Sequence, residues 1–228
     1  MHVHVNAATS ADGKLSSRRR EQVRISGPAD GERVDALRAD CDAVMVGVGT
    51  VLADDPHLTI KDDDRRAARR ERGVPSNPAR VVADSRARAP PDSRVLDDAA
   101  TTYVLVGDDA PERRRETLRD AGARVVADDG ERKGDGPDSS RVVLPHALDA
   151  LEAEGVESML IEGGGELLYS AFAAGLVDEL SVFVGSVLVG GRDAPTLLDG
   201  EGFVGEFPEL ILESVERIDD GVVLSYTL

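Results

Sequence analysis

Residues 43–56 read AVMVGVGTVLADDP, and this stretch carries the strongest signal of fold class in the chain. Its first four residues form a short apolar run bounded by Asp42 and Gly47. Such a run, without polar alternation, is typical of a strand buried on both faces of a parallel sheet. We therefore predict a buried parallel strand that ends in a glycine-bearing turn.

The segments before this strand complete a strand–helix–strand unit. Val3, Val5 and Ala7 alternate with polar residues, which is the pattern of a strand with one buried face, and a turn cluster follows at 9–13. Residues 28–40 have helical spacing of apolar residues and begin with a proline suited to a helix start. This order predicts an α/β fold.

The alternation of strands and helices continues towards the C-terminus. Further strands are predicted at 80–83, 102–106, 123–127, 158–161, 179–184, 209–215 and 222–226, and further helices at 111–121, 146–154 and from the turn at 163–165 to 174. The last two strands form an antiparallel pair turned at 219–221. The charged stretch 61–73 is predicted as a solvated loop or surface helix, and 128–140 as a hydrophilic loop. We predict one α/β domain over 1–228, with a mostly parallel sheet and an antiparallel C-terminal edge.

Composition excludes several functional classes. The chain has 228 residues with 44 acidic and 27 basic side chains, a net charge of −17 that repels nucleic acid and anionic membranes. Its single cysteine, Cys41, forms neither an internal disulfide nor a multi-cysteine zinc site. No signal segment or membrane-spanning run is visible, so we expect a cytoplasmic protein. The scarcity of lysine and aromatic residues indicates salt adaptation; the alternative is an ordinary acidic, arginine-rich protein.

The glycine turn at 163–165 is the first candidate ligand site. It follows the apolar strand at 158–161 and opens a helix, so its backbone N–H groups and the helix N-terminus can approach a phosphate closely. It is not the dinucleotide fingerprint, because Leu168 stands where the third glycine belongs. The alternative is a tight strand-to-helix turn without a ligand.

The turn that follows the strand at 43–46 is the second candidate. Ligands of open α/β sheets bind outside the carboxyl ends of the strands, where both glycine turns fall. Thr50 offers a hydroxyl group, and Asp54 can accept hydrogen bonds from ribose or amide groups. In the alternative interpretation Thr50 caps a helix and residues 54–56 end it.

Three cations form the third candidate group. Lys14, Lys61 and Arg38 can supply the positive potential that an anionic substrate needs in so acidic a chain, although all three can equally be surface residues. No zinc-hydrolase, zinc-deaminase, serine-nucleophile or P-loop motif occurs, and no metal is expected. A phosphate-binding α/β domain without a recognisable nucleophile is typical of a nicotinamide reductase, in which the cofactor supplies the chemistry.

Taken together, these segments resemble the pyrimidine reductases of riboflavin biosynthesis. The resemblance rests on VNAATSADGK (5–14), ISG (25–27), LRADCDAV (37–44), VGVGTVLADDPHLT (46–59), NPARVVADS (77–85), IEGGGEL (161–167) and GLVDEL (175–180). It implies a dihydrofolate-reductase-like fold with helices on both faces of the sheet, NADPH as hydride donor, with NADH possible, and a homodimer. The stand-alone archaeal and fungal type implies 2,5-diamino-6-ribosylamino-4(3H)-pyrimidinone 5′-phosphate as substrate.

The resemblance also assigns roles to individual positions. It implies cofactor contacts at Ala8, Thr50, Asp54, Ser85, Gly163, Gly164, Gly165, Glu166 and Leu167, and substrate contacts at Lys14, Arg38, Leu58, Lys61 and Glu162. Lys61 stands where many relatives have arginine, so a point charge replaces a bidentate fork there. Glu162 and Asp12 are candidate proton donors, each with an alternative role as a hydrogen-bonding anchor.

Three alternative functions stay open at this point. The deaminated pyrimidine is a second possible substrate. A dihydrofolate or pterin reductase can use the same fold, although the basic residues favour a phosphorylated substrate. A non-catalytic nucleotide-binding module would bind NADPH without turnover.

Overall fold

The apolar runs predicted as strands form a nine-stranded sheet in the part of the chain that the computed structural model describes, residues 1–127 and 141–228. The strands are β1 His2–Ser10, β2 Ala43–Gly47, β3 Ala79–Ala83, β4 Thr102–Val106, β5 Arg124–Ala127, β6 Ser158–Ile161, β7 Glu179–Gly185, β8 Ile211–Ile218 and β9 Gly221–Thr227. Their order across the sheet is β5-β4-β3-β2-β6-β1-β7-β9-β8.

The strands from β5 to β7 in that order run parallel, whereas β9 pairs antiparallel with both β7 and β8. The predicted fold class, a mostly parallel sheet with an antiparallel C-terminal edge, is confirmed. The last pair turns at Asp219 and Asp220, as expected. Because the parallel strands share one direction, their carboxyl ends all lie at one edge of the sheet, and we call this the carboxyl edge.

The helices alternate with the parallel strands. They are α1 Pro28–Asp40, α2 Val48–Asp54, α3 Asp63–Glu71, α4 Glu112–Asp120, α5 Leu144–Ala153 and α6 Gly165–Ala173, with a short 3₁₀ turn at Arg94–Leu96. The charged stretch 61–73 contains α3, so the surface-helix interpretation is confirmed. Its Arg69 is nevertheless buried and donates to the carbonyl oxygens of Ala39 and Cys41 at 2.8 Å each. The loop predicted at 128–140 lies outside the described residues.

Apolar side chains cover both faces of the sheet. Val5 of β1 belongs to a buried cluster with Leu148 of α5 and Leu168 of α6. Val46 of β2 belongs to a second cluster with Leu118 of α4. Successive side chains of a strand point to opposite faces. Because alternate residues of β2 belong to different clusters, the helices lie on both faces, as expected.

Helix α1 packs on the sheet through polar contacts. Its buried residues include Asp30 and Asp35. Arg33 donates from Nη2 to Oδ1 of Asn6 on β1 at 2.7 Å, and from Nη1 to Oγ of Ser181 on β7 at 3.3 Å. A few directed hydrogen bonds, rather than a broad apolar face, therefore hold this helix in place.

The N-terminus of α1 is capped by a residue that lies far away in sequence. The carboxylate of Asp219, in the β8–β9 turn, accepts hydrogen bonds from the backbone N–H groups of Ala29 at 3.4 Å and Asp30 at 3.0 Å. Gly27 leaves room for it, because a Cβ atom at that position would lie 2.5 Å from Asp219 Cγ. The carboxylate satisfies N–H groups that have no acceptor within the helix.

Gly27→Ala and Asp219→Ala should each lower the free energy of unfolding by about 1 kcal/mol, the usual cost of a lost helix cap. Both changes remove the same contact, because the added methyl group displaces the carboxylate. The double variant should therefore cost no more than about 0.5 kcal/mol beyond either single variant. Urea denaturation of the four proteins measures this.

The matched control is Asp220→Ala, which removes the neighbouring exposed carboxylate and should leave the stability unchanged within about 0.5 kcal/mol. Fully additive losses in the double variant would contradict the cap, since they would mean that Gly27 and Asp219 act independently.

Candidate functional site

The two glycine turns lie side by side at the carboxyl edge. Strands β2 and β6 are neighbours, and the turns that follow them meet where the N–H of Gly47 points to the carbonyl oxygen of Gly163 at 3.5 Å. The N–H of Glu162 donates to the carbonyl oxygen of Met45 at 2.9 Å. The two candidates recognised separately in the sequence therefore form one site.

The turn before α6 has a backbone that requires glycine. Gly163 has φ +137° and Gly164 has φ +93°, conformations that residues with a Cβ rarely adopt. Gly165 is needed for a different reason, because a Cβ there would lie 2.5 Å from the carbonyl oxygen of Thr196. A Cβ on Gly163 would meet no atom within 4 Å, so the outer side of this turn is open.

The N-terminus of α6 presents free donors at this opening. The N–H groups of Gly165, Glu166 and Leu167 belong to the first turn, where a helix offers no acceptor, and none of them bonds to another described residue. Together with the positive end of the helix dipole, they make a site for an anion such as a pyrophosphate. The residues present thus fit the phosphates of a dinucleotide.

Helix α2 follows the second glycine turn and carries Thr50 and Asp54 four residues apart, on one face of the helix. Gly47 is the N-cap, so the interpretation of Thr50 as a cap is wrong: Thr50 lies inside the first turn. The helix does end after Asp54, where Asp55 adopts a left-handed conformation, as the alternative interpretation expected. Partial burial raises the pKa of the Asp54 carboxyl.

The other two predicted cofactor residues also lie towards the carboxyl edge. Ala8 is half-buried near the end of β1, opposite Phe183 of β7. Ser85 follows β3, and its Oγ accepts a hydrogen bond from the N–H of Val142 at 3.0 Å. Its carbonyl oxygen accepts from Gly107 at 3.1 Å. Ser85 therefore already serves as an acceptor within the protein.

A bidentate ion pair joins α1 to the end of β6. Arg38 donates from Nε to Glu162 Oε1 at 2.6 Å and from Nη2 to Oε2 at 2.5 Å. The two side chains are 15% and 10% exposed. The remaining nitrogen, Nη1, donates to the carbonyl oxygen of Thr59 at 3.0 Å. Arg38 therefore connects the helix, the strand end and the segment that carries Leu58 and Lys61.

That segment is also fixed by Asp35 of α1. The Asp35 carboxylate accepts from the N–H groups of Lys61 at 2.6 Å and Asp62 at 3.1 Å. The Lys61 side chain is exposed. The Leu58 side chain is buried, so only its backbone, with φ +51°, can face a ligand. Arg38 and Glu162 are thus paired, and Asp35 of the same helix holds the backbone of Lys61, whose side chain is exposed.

Asp12 and Lys14 lie together on the loop that follows β1. Asp12 accepts hydrogen bonds from the N–H groups of Val189 and Gly190 and from the hydroxyl of Ser10. These donors, Val189 foremost, lower the pKa of Asp12 to about 2. The ammonium group of Lys14 lies 3.4 Å from the carbonyl oxygen of Ala194.

Several residues that organise the site were missed in the sequence. Asp35, Asp219 and the Arg33–Asn6 pair act through partners distant in the chain, and no local motif marks them. A buried acid such as Asp35, beside the apolar positions Val34 and Leu37 of α1, is the one detectable signal.

Residues 1–127 and 141–228 show neither a metal-binding cluster nor a membrane-spanning helix. This part of the chain holds no cluster of three or more histidine, cysteine or acidic residues that could bind a metal ion. None of its helices is long and apolar enough to cross a membrane.

The fold and this edge define an α/β protein with free backbone donors where its parallel strands end. Residues 1–224 match the RibD C-terminal domain family, and the chain belongs to that family. The resemblance noted in the sequence is therefore confirmed, as is the dihydrofolate-reductase-like architecture that it implied.

Two archaeal proteins are similar to this chain over nearly their whole length. A protein of Archaeoglobus fulgidus named 2,5-diamino-6-ribosylamino-4(3H)-pyrimidinone 5′-phosphate reductase is 43% identical over 98% of this chain and 96% of its own. The protein of that name from Methanothermobacter thermautotrophicus is 41% identical over 100% and 98%. A pyrimidine reductase-like protein of Corynebacterium diphtheriae has the same fold, with a TM-score of 0.83, 19% identity and coverage of 99% and 91%.

Proposed function

We propose that this chain reduces the ribosyl group of 2,5-diamino-6-ribosylamino-4(3H)-pyrimidinone 5′-phosphate to a ribityl chain, with NADPH as the reductant. The observation that carries this proposal is the end-to-end match to two proteins of that name, at 43% and 41% identity. The enzyme would work in the cytoplasm, in the biosynthesis of riboflavin.

The cofactor assignment is supported by the two glycine turns. The N–H groups at the start of α6 would bind the pyrophosphate, and the Thr50 hydroxyl and Asp54 carboxyl on α2 would contact the nucleotide from the other side. Ser85 would lie at the adenosine end. NADPH, when bound, supplies the hydride. These residues would orient the cofactor towards the substrate, and such orientation accounts for much of the rate in reactions of this kind.

The substrate assignment is supported by the group around Arg38. Lys61 and Lys14 would contact the ribose phosphate as point charges, while the backbone at Leu58 contacts the sugar or pyrimidine. The charge of Arg38 is already matched by Glu162. We therefore assign Arg38 and Glu162 to orienting neutral hydrogen-bonding groups of the substrate, and the phosphate to the lysines.

We assign Glu162 the role of an anchor rather than of the proton donor. Both of its carboxylate oxygens accept hydrogen bonds from the guanidinium of Arg38. Both oxygens therefore hold the guanidinium in place, which is the role of an anchor. Asp12, with its pKa lowered to about 2 by the N–H of Val189 and the hydroxyl of Ser10, is ionised at neutral pH and has no proton to give.

We further propose a homodimer formed through the exposed edge strand β8. Apolar side chains on and before this strand lie in solvent: Val204 is 94% exposed, Phe207 69%, Ile211 64% and Val215 60%. A long apolar edge strand left unpaired promotes aggregation unless another chain covers it. A second copy of the chain, related by a two-fold axis, would cover the strand in both copies.

The first test is the loss of NADPH absorbance in molar KCl, chosen because of the proposed salt adaptation. The diamino compound, its deaminated counterpart and dihydrofolate are supplied separately, and NADH replaces NADPH in a parallel series. We expect turnover with the diamino compound and NADPH. Turnover with the deaminated compound alone, with dihydrofolate alone, or with none of them despite measurable NADPH binding would overturn the proposed substrate.

The role of Glu162 is tested with Glu162→Gln. An anchor keeps one acceptor for Arg38, so we expect kcat to fall by less than about tenfold and the pH profile to keep its shape, whereas loss of a general acid costs about 10²–10⁴. The control is Glu157→Gln, an exposed acid just before the other end of β6. Disappearance of one limb of the pH profile would identify Glu162 as the donor instead.

The dimer is tested by sedimentation equilibrium on the wild-type chain and on Ile211→Glu/Val215→Glu. The wild type should have the mass of a dimer and the variant that of a monomer, because two buried carboxylates on each copy are costly. Val74→Glu adds a charge at another exposed apolar residue and should stay dimeric. A monomeric wild type would rule out this interface.

A further inference from the structure

The segment 187–199, which follows β7, connects the two sides of the proposed site. On one side it pairs with the loop after β1: Ala11 N–H donates to the carbonyl oxygen of Val187, and Leu15 N–H to that of Pro195, each at 2.9 Å. On the other side the N–H of Asp199 donates to the carbonyl oxygen of Gly165 at 3.1 Å. The segment thus touches both the Lys14 loop and the glycine turn of α6.

Asp12 is the side chain that fastens the middle of this segment. Its Oδ1 accepts hydrogen bonds from Val189 N–H at 2.9 Å and from the Ser10 hydroxyl at 2.7 Å, and its Oδ2 accepts from Gly190 N–H at 2.7 Å. Gly190 and Gly191 both have positive φ, so the backbone here has wide conformational freedom when unrestrained. The carboxylate selects one conformation of this glycine turn.

The same contacts determine where Lys14 lies. The backbone N–H of Lys14 donates to the Ser10 hydroxyl at 2.9 Å, and that hydroxyl donates to Asp12. The Lys14 ammonium lies 3.4 Å from the carbonyl oxygen of Ala194, and Lys14 pairs with Thr196 across an isolated bridge. Displacement of the 187–199 segment would remove the partners of Lys14 on that side.

We propose that Asp12 is a positioning residue for substrate binding: it fixes the 187–199 segment and, through it, the ammonium group of Lys14 that contacts the substrate phosphate. This inference rests on the proposed function for the identity of the substrate. In this role Asp12 is not a proton donor. Its carboxylate serves to hold the 187–199 segment next to Lys14.

The ionisation of Asp12 agrees with this role. A carboxylate whose pKa is lowered to about 2, by the N–H of Val189 first and the Ser10 hydroxyl next, stays charged throughout the range in which an enzyme assay is run. A group with a depressed pKa contributes stability above its ordinary pKa and loses that contribution only as the pH falls towards 2. The hydrogen bonds from the 187–199 segment to Asp12 therefore persist at neutral pH. Removing them should not change the shape of a pH profile.

The test uses Asp12→Ala and the isosteric Asp12→Asn, which keeps one acceptor oxygen. We expect KM for the diamino pyrimidine phosphate to rise at least tenfold in Asp12→Ala and less in Asp12→Asn, because the competent position of Lys14 is populated less. The value of kcat and its pH profile should change little. Hydrogen exchange of the peptide 187–196 should become at least tenfold faster in Asp12→Ala.

The matched control is Asp193→Ala, an exposed acid in the same segment that makes no hydrogen bond or ion pair with a described residue. It should change neither KM nor the exchange rate. An unchanged rate of hydrogen exchange in both Asp12 variants would contradict the proposal that Asp12 fixes the 187–199 segment. A loss of kcat with one limb of the pH profile, at unchanged KM, would identify Asp12 as the acid. If the wild type fails to reduce the pyrimidine, the proposed function is wrong. The hydrogen-exchange rates alone then test whether Asp12 fixes the 187–199 segment.

Discussion

The bidentate ion pair between Arg38 and Glu162 is the contact on which the geometry of the site depends. It joins α1, the end of β6 and, through the carbonyl oxygen of Thr59, the segment before α3. Removing one partner from such a mostly buried pair costs about 3–5 kcal/mol, a large part of the about 5–15 kcal/mol that stabilises a typical domain. The pair therefore maintains the position of α1 as well as the shape of the site.

Helix α1 needs such contacts because the apolar spacing predicted for it gives only a narrow apolar face, with Ala39 buried and Leu37 partly buried against the sheet. Asp219 caps its first turn, Arg33 reaches Asn6 on β1, and Asp35 holds the backbone of residues 61 and 62. Hydrogen bonds are directional, whereas apolar contacts tolerate sliding. A helix attached in this way has one permitted position, which suits an element that presents charged groups to a ligand.

Local patterns in the sequence predict the central strands well and the polar contacts poorly. The apolar run at 158–161 and the helix at 28–40 coincide with β6 and α1, because burial on the sheet and a proline start both leave a signal within a few residues. Strand β8 was predicted at 209–215 but runs from Ile211 to Ile218. It is exposed on both faces and has a register shift near Leu212, so no alternation marks its ends.

The organisation of the site escaped sequence reasoning for a related reason. Arg38 and Glu162 are 124 residues apart, and Asp12 and Gly190 are 178 apart. Residue type identifies such groups as candidates, but only the folded sheet determines which of them meet. The same limit explains Thr50: a threonine beside a helix start is a plausible cap by type, yet the helix begins at Val48 and its N-cap is Gly47.

The charge of the chain raises a last physical question, since the proposed function requires a protein of net charge −17 to bind two anionic ligands. With Arg38 neutralised by Glu162, the attraction has to come from Lys14, Lys61 and the N-terminus of α6. At about 1 M salt the screening length is only about 3 Å, so repulsion from distant surface carboxylates is suppressed while direct hydrogen bonds and ion contacts remain. In molar salt, therefore, an acidic surface and a phosphate site are compatible. In dilute buffer the surface charge is screened less, so the same surface repels anions more strongly.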